Sequence, residues 1–121
     1  MNKNNTITHI EIPAPDLQKA ISFYSKIFNW KIEIITENVY AYFIIGDTNT
    51  GGGLDTSLTP SKEKSGAQIV IDVEDIDQTL INIQASGGKI IMPKTLIEGG
   101  HGFYASFQDP NGNYLQIHSR V

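Results

Sequence analysis

The apolar side chains of residues 17–28 recur at spacings of three and four, which is the period of one face of an α-helix. Asp16 stands directly before this run as an N-cap, where its carboxylate can accept a hydrogen bond from an unpaired backbone N–H. Asn29 follows the run and is a residue at which a helix can end. The pattern therefore predicts a first helix over about 16–28.

The same signals predict a second helix over about 75–86. Asp75 is its N-cap, and Gly87–Gly88 ends it. The two halves of the chain repeat one another at a constant offset of 59 residues, so that Asp16 falls on Asp75. Because caps and apolar positions coincide together, we interpret the repeat as an internal duplication.

Short runs that are rich in β-branched and aromatic residues predict the strands. They cover residues 6–12, 30–35, 39–45 and a segment around Leu54 in the first half, and 68–73, 89–97, 103–108 and 114–118 in the second half. Pro93 predicts an edge position or a bulge in its strand, since proline cannot donate to a sheet ladder. Residues 46–53 are predicted to form a loop, and residues 109–112 to form a type I turn.

These elements predict the α+β fold class, with two tandem βαβββ modules. The modules are expected at about 6–56 and 67–121, joined by a polar linker at 57–66, within one domain over 1–121.

The composition narrows the classes of protein that this chain can belong to. Hydrophobic residues make up 40% of the 121 residues and charged ones 18%, which is typical of a globular domain. A net charge of −4 without a basic stripe argues against nucleic-acid and membrane partners. The absence of cysteine excludes a disulfide scaffold, a thiolate zinc site and a cysteine nucleophile. The first eight residues lack a signal-peptide pattern, so a cytoplasmic location is expected.

Three segments carry motifs of a known family. They are residues 9–33 (HIEIPAPDLQKAISFYSKIFNWKIE), residues 71–90 (IDVEDIDQTLINIQASGGKI) and residues 107–119 (FQDPNGNYLQIHS). Together they resemble the glyoxalase, bleomycin-resistance and extradiol-dioxygenase superfamily, also called vicinal oxygen chelate proteins. The resemblance covers nearly the whole chain. It implies that the two βαβββ modules form a curled mixed sheet around a cleft. It also implies a small-molecule ligand in that cleft, and a homodimer.

The resemblance also implies the positions of a metal ion. In metal-dependent members, His, Glu or Gln side chains from the first and last strands of each module hold one divalent ion. Carried over to this sequence, those positions fall on His9, Gly53, Gln68 and Gln116. Only His9 is a strong ligand, because glutamine offers a neutral amide oxygen and Gly53 offers no side chain. No cofactor is therefore expected, and a divalent metal is expected to bind weakly at most.

Several polar and aromatic residues are candidates for the binding site. The ligand-binding candidates are His9, Tyr40, Tyr42, Gln68, His101, Phe103, Tyr114, Gln116 and His118. His9 and Glu11 are the catalytic candidates, with Glu11 as a general base; an exposed strand-end carboxylate is the alternative for Glu11. Strand alternation places Tyr114, Gln116 and His118 on one face, which is either a cleft wall or a solvated surface. His101 lies among glycines, in a loop that either covers the cleft or is merely solvated.

Three functions are compatible with this sequence. The first is a glyoxalase-related protein that binds a small metabolite without a conventional catalytic metal. The second is a drug-sequestering protein of the bleomycin-resistance type, which binds a flat cation between acidic and aromatic walls. The third is a metal-dependent lyase, isomerase or dioxygenase, in which Glu11 or His118 replaces a missing ligand. If the chain is an enzyme, the resemblance implies a lactoylglutathione-lyase-like or dioxygenase-like reaction.

Overall fold

The computed structural model describes residues 5–121, which form two compact units divided in sequence between Thr59 and Pro60. The elements of the first unit are β1 (His9–Pro13), α1 (Leu17–Phe28), β2 (Lys31–Thr36), β3 (Tyr40–Ile44) and β4 (Gly51–Asp55). The elements of the second unit are β5 (Val70–Asp72), α2 (Ile76–Ala85), β6 (Lys89–Leu96), β7 (Phe103–Gln108) and β8 (Tyr114–Ser119).

The two units share one topology. The strand orders are β1-β4-β3-β2 and β5-β8-β7-β6, with a parallel pair at β1 and β4 and another at β5 and β8. The remaining strand pairs are antiparallel. The predicted α+β class with two βαβββ modules is therefore confirmed. The predicted cleft between the modules stays a prediction.

Both helices begin and end at the residues that the sequence indicates. Asp16 and Asp75 each accept a hydrogen bond from the backbone N–H three residues later, at 3.1 and 3.0 Å. The first helix ends at Asn29, whose N–H still donates to Ser25 O at 3.1 Å and whose φ of 57° is left-handed. The second ends before Gly87, where φ is 93° and a side chain would be strained.

An aromatic stack forms the core of the first unit. The Trp30 ring is stacked between those of Tyr24 and Phe43, with centroid distances of 5.0 and 4.6 Å. All three side chains are at most 5% exposed, so Trp30 has a packing role. They fix α1 against the sheet through Phe43 on β3, so that the opposite face of the sheet is left for other contacts.

The first and last strands of the modules differ from their predicted bounds. β1 begins at His9 rather than at residue 6, and β5 begins at Val70, which leaves Gln68 outside the strand. The predicted loop 46–53 is wrong at its end, because Gly51, Gly52 and Gly53 are strand residues of β4. Glycine has low intrinsic strand propensity, so pairing with β1 and β3 on both sides decides this strand.

The Pro93 strand behaves as its sequence predicts. β6 is an edge strand of the second sheet, and its register with β7 shifts on both sides of Met92. The predicted turn after β7 also forms, because Gly112 N donates to Asp109 O at 2.9 Å. Among the described residues, neither helix has the length and hydropathy that crossing a bilayer requires.

Candidate functional site

The sheet of the first unit has one apolar face and one polar face. Ile12, Ala41, Phe43 and Leu54 are buried and share the face that packs against α1. On the opposite face, the register brings His9 beside Gly51, and Glu11 beside Gly53. Tyr42 pairs with Gly53 from the other side. Four polar and aromatic candidates from the sequence, His9, Glu11, Tyr40 and Tyr42, therefore share this polar face.

The glycines of β4 allow the tyrosine rings to cross this strand. A Cβ atom built on Gly53 would lie 1.9 Å from the hydroxyl oxygen of Tyr40, and one on Gly51 would lie 2.7 Å from that of Tyr42. Both distances are far shorter than any real carbon contact. The rings of Tyr40 and Tyr42 therefore occupy the space where β4 would otherwise carry side chains, and they reach toward β1.

Tyr40, Glu11 and His9 form one hydrogen-bonded group, which we call the His9 cluster. The Tyr40 hydroxyl donates to Glu11 Oε2 at 2.7 Å and lies 3.4 Å from His9 Nε2. His9 Nε2 also bonds Glu11 Oε2 directly. The side chains of His9 and Glu11 are 48% and 33% exposed, so a ligand could reach both.

The protonation of Tyr40 is fixed by its surroundings. Burial, together with the hydrogen bond to Glu11 and the charge of that carboxylate, raises the pKa of Tyr40 to about 12. Tyr40 therefore remains a neutral donor at any physiological pH. Asp55 lies beside Tyr40 in register, and its pKa is lowered because the Ser57 hydroxyl and N–H donate to its carboxylate.

Tyr42 adds an aromatic surface next to the His9 cluster. Its ring is stacked alongside His9, with a centroid distance of 6.4 Å and an interplanar angle of 29°. A flat ligand that lies on these rings would have hydrogen-bonding groups of His9 and Glu11 within reach.

The second unit carries a corresponding polar face. Tyr114, Gln116 and His118 share one face of β8, as their alternation predicts, while Leu115 and Ile117 are buried on the other. Gln116 is only 8% exposed, and its Nε2 donates to the Tyr114 hydroxyl at 3.2 Å. Its amide is therefore held within the sheet of its own unit.

Both ring nitrogens of His118 have hydrogen-bond partners. Its Nδ1 lies 2.7 Å from Asp72 Oδ1, and its Nε2 lies 2.7 Å from the backbone oxygen of His101. Both partners are acceptors, so only the protonated ring can donate to both. The pKa of His118 is accordingly raised, first by the His101 carbonyl and then by Asp72, against opposition from burial and Arg120. His118 and Asp72 line a pocket of about 360 Å³ near the chain end.

The His101 loop contacts His118 through its backbone rather than through its side chain. Gly102 has a φ of 87°, and a Cβ there would lie 2.3 Å from Ser119 O, so only glycine fits this approach to β8. The His101 side chain is exposed. That this loop covers a bound ligand stays one of the two alternatives from the sequence.

Two further candidates lie apart from these groups. Gln68 donates to Ser65 O and Gly66 O at 3.1 and 2.9 Å, so its amide supports the loop before β5. Phe103 points to the same side of β7 as the buried Ala105 and Phe107, with Lys94 Nζ 4.6 Å from its ring centroid.

The family's metal positions do not fit a divalent ion in this chain. The place of a side chain on Gly53 is taken by the Tyr40 ring. Gln68 and Gln116 offer only neutral amide oxygens, which are weak donors to a divalent ion. His9 is left as the one strong ligand of the set, and no group of three His, Asp or Glu residues in the described 5–121 could hold a metal.

Three contributors to these sites were not predicted from the sequence. Asp72 orients His118 from a neighbouring strand, Gly53 admits the Tyr40 ring, and Asp55 lies beside Tyr40. The triple glycine was a usable signal for Gly53, since glycine within a strand marks a close approach. No sequence signal pointed to Asp72 or Asp55, because only strand register brings them to their partners.

The same strand order in both units, each with one polar sheet face, defines a two-module α+β fold. The family model described as the glyoxalase/bleomycin resistance protein/dioxygenase superfamily matches residues 6–117. The chain therefore belongs to this superfamily, as its motifs predicted.

Two curated relatives agree with this assignment. A glyoxylase-like domain-containing protein from Didymella fabae is 30% identical over 120 residues, which cover 94% of this chain and 93% of that protein. A probable lactoylglutathione lyase from Vibrio parahaemolyticus is 26% identical over 124 residues, covering 94% of this chain and 90% of the relative.

Solved structures share the fold at low sequence identity. A glyoxalase/bleomycin resistance protein/dioxygenase family enzyme from Burkholderia phytofirmans has a TM-score of 0.76 at 16% identity, over 97% of this chain and 100% of that chain. The fosfomycin resistance protein FosX from Listeria monocytogenes, complexed with Mn(II) and sulfate, has a TM-score of 0.73 at 19% identity, over 100% and 93%. The antibiotic-binding protein TnmS3 from Streptomyces has a TM-score of 0.69 at 17% identity, over 100% of both chains.

Proposed function

We propose that this chain binds a small polar or aromatic metabolite on the polar face of its first sheet, without a conventional catalytic metal. The observation that carries the proposal is the His9 cluster beside Tyr42, which extends across β4 because the glycines of that strand admit the two tyrosine rings. The rings supply contact area, and Glu11 and His9 supply fixed polar partners.

Each residue of the site has a distinct role in this proposal. Tyr42 gives a stacking surface, while the Tyr40 hydroxyl holds Glu11 in one orientation by its 2.7 Å hydrogen bond. His9 orients the ligand, because its ring is half exposed beside Glu11. If the ligand is also a substrate, Glu11 is the candidate base and His9 the candidate acid, and the relatives named as lactoylglutathione lyases make a lyase the first reaction to test.

The experiment is a thermal-shift screen of metabolites, followed by calorimetric binding to variants. Tyr42→Ala should weaken binding by about 0.5–1.5 kcal/mol through the lost ring contact. His9→Ala should reduce any turnover more than affinity, since it removes orientation. Gln84→Ala, at an exposed position of α2, is the surface control. Unchanged binding in both site variants would refute the proposal.

Drug sequestration is a second candidate, and one observation favours it. Three carboxylates lie on the same sheet face as the two tyrosine rings. They belong to Glu11, Glu33 and Asp55. A flat organic cation would find both opposite charge and aromatic surface there. Sequestration predicts salt-sensitive binding of such a cation without turnover, whereas the metabolite proposal is compatible with turnover of a neutral ligand.

A metal-dependent reaction is the third candidate from the sequence. Elemental analysis of purified protein separates it from the other two, because near-stoichiometric zinc, nickel or iron after dialysis would establish a metal site. The homodimer that the family resemblance implies stays a prediction, which light scattering of the purified protein can test.

A further inference from the structure

A side chain at each of the three glycines of β4 would collide with different atoms. A Cβ on Gly52 would lie 1.9 Å from the backbone oxygen of Ile10, which cannot move without breaking the sheet. A Cβ on Gly51 would meet the backbone oxygen of Phe43 at 2.6 Å as well as the Tyr42 hydroxyl. At Gly53 the three nearest atoms, at 1.9 to 2.4 Å, all belong to the Tyr40 side chain.

Gly53 is therefore closed first by one side chain, since the Tyr40 ring comes nearer to this position than any backbone atom does. The Tyr40 ring is held in this place at its far end, because its hydroxyl donates to Glu11 Oε2 and lies 3.4 Å from His9 Nε2. The ring thus ties β3 to β1 directly over Gly53, in the register that pairs Gly53 with Glu11. A side chain on Gly53 and the ring of Tyr40 exclude one another.

We propose that the Tyr40 ring, which lies over Gly53, excludes a divalent metal ion from the polar face of the first sheet. The ring thereby determines which ligands this face binds. The inference rests on the proposed function for its assignment of the ligand-binding face. A carboxylate at position 53 would stand beside Glu11 and near His9, giving three ligands of the types that bind Mn(II). In this chain the phenol takes that space and keeps Glu11 hydrogen-bonded.

A stability cycle tests the exclusion. In the wild-type background, Gly53→Ala should lower the urea midpoint of unfolding. In the Tyr40→Ala background, the same Gly53→Ala substitution should lower the midpoint much less. Gly52→Ala is the matched control, because the Ile10 carbonyl blocks that position and truncation of Tyr40 cannot relieve it. An equal loss from Gly53→Ala with and without the Tyr40 ring would overturn the proposal.

A metal titration tests the consequence, with Mn(II) alone as the probe and calorimetry and electron paramagnetic resonance as readouts. Gly53→Glu combined with Tyr40→Ala should bind Mn(II) more tightly than wild type or either single variant, by on the order of tenfold or more. A folded double variant with wild-type affinity, or Gly53→Glu alone binding as tightly as the double variant, would overturn the proposal. If the double variant does not fold, the alanine cycle decides.

These measurements separate the inference from the function on which it rests. A wild-type protein that binds no small molecule in the screen refutes the proposed function, while the alanine cycle and the Mn(II) titration still report on Tyr40 and Gly53.

Discussion

The hydroxyl of Tyr40 donates to Glu11 Oε2 at 2.7 Å although the two residues lie on strands that do not pair with one another. β4 runs between them, and its Gly53 pairs with Glu11 on one side while Tyr40 pairs with Asp55 on the other. The phenol ring can bridge the strand only because Gly53 has no side chain. The absence of a side chain at Gly53 thus lets the Tyr40 ring reach the Glu11 carboxylate of the candidate site.

The bridge makes a prediction for the titration of Tyr40. Tyr40 should titrate near pH 12, about two units above the usual value for tyrosine. Because the pKa of Tyr40 is raised in the folded state, its stabilisation is full below about pH 10 and is lost as the pH rises toward about 12. Carbon-13 NMR of the ring carbons measures the titration directly.

Two variants assign this signal. Tyr40→Phe should remove the resonance that titrates near pH 12, and Glu11→Gln should move it toward the ordinary tyrosine value, since the carboxylate contributes to the shift. A Tyr40 resonance that titrates at the ordinary value of about 10 in the wild-type protein would contradict the prediction.

Ser106 and Ser119 allow a comparison of how a buried hydroxyl affects stability with and without a hydrogen-bond partner. They are 1% and 2% exposed, but Ser119 Oγ donates to Val121 O at 2.7 Å, whereas Ser106 Oγ has no hydrogen-bond partner within residues 5–121. Ser119→Ala should lower the free energy of unfolding by about 0.5–1.5 kcal/mol. Ser106→Ala should leave it unchanged or raise it by up to about 1 kcal/mol, because a desolvated hydroxyl is lost. Urea denaturation compares them, and a clear loss in Ser106→Ala would show that this hydroxyl has a partner.

His118 predicts a pH dependence of stability. Its pKa is raised in the folded state, because the His101 carbonyl and Asp72 both accept hydrogen bonds from the protonated ring. The stabilisation is therefore full below the unfolded pKa of about 6.5 and is lost as the pH rises through the raised value. The melting temperature of wild type should fall over this interval by more than that of His118→Phe.

His101→Ala is the control for this pH series. The loop contact uses the backbone oxygen of His101 and not its exposed ring, so the variant should keep the wild-type profile. A profile flattened by His101→Ala to the same extent as by His118→Phe would contradict the assignment to His118.

Asp109 predicts a large loss of stability on truncation. It is 3% exposed, its Oδ1 accepts from the N–H groups of Asn111 and Asn113, and its Oδ2 accepts from the Asn113 side-chain amide at 2.9 Å. Asp109→Ala leaves those donors unpaired, so the free energy of unfolding should fall by about 3 kcal/mol. Asp75→Ala removes an exposed helix cap and should cost about 1 kcal/mol. Similar losses in the two variants would contradict a buried network.

The sequence determined the features of this protein that depend on neighbours along the chain. The spacing of apolar residues and the caps Asp16 and Asp75 predicted both helices, and the alternation in β8 placed Tyr114, Gln116 and His118 on one face. These signals are local, since a helix and a strand each repeat their side-chain directions within a few residues. The repeat of the local signals was enough to predict two like modules.

The tertiary structure decided the contacts that depend on strand register. The alignment of separate strands places the Tyr40 ring over Gly53 and Asp72 beside His118. A shift of one residue in that alignment would turn each side chain to the other face of its sheet. The triple glycine became a strand only through its neighbours on both sides, and Gln68 turned to loop carbonyls because β5 begins two residues later. Composition and periodicity carry no information on such pairings, which is why they were settled only by the folded sheets.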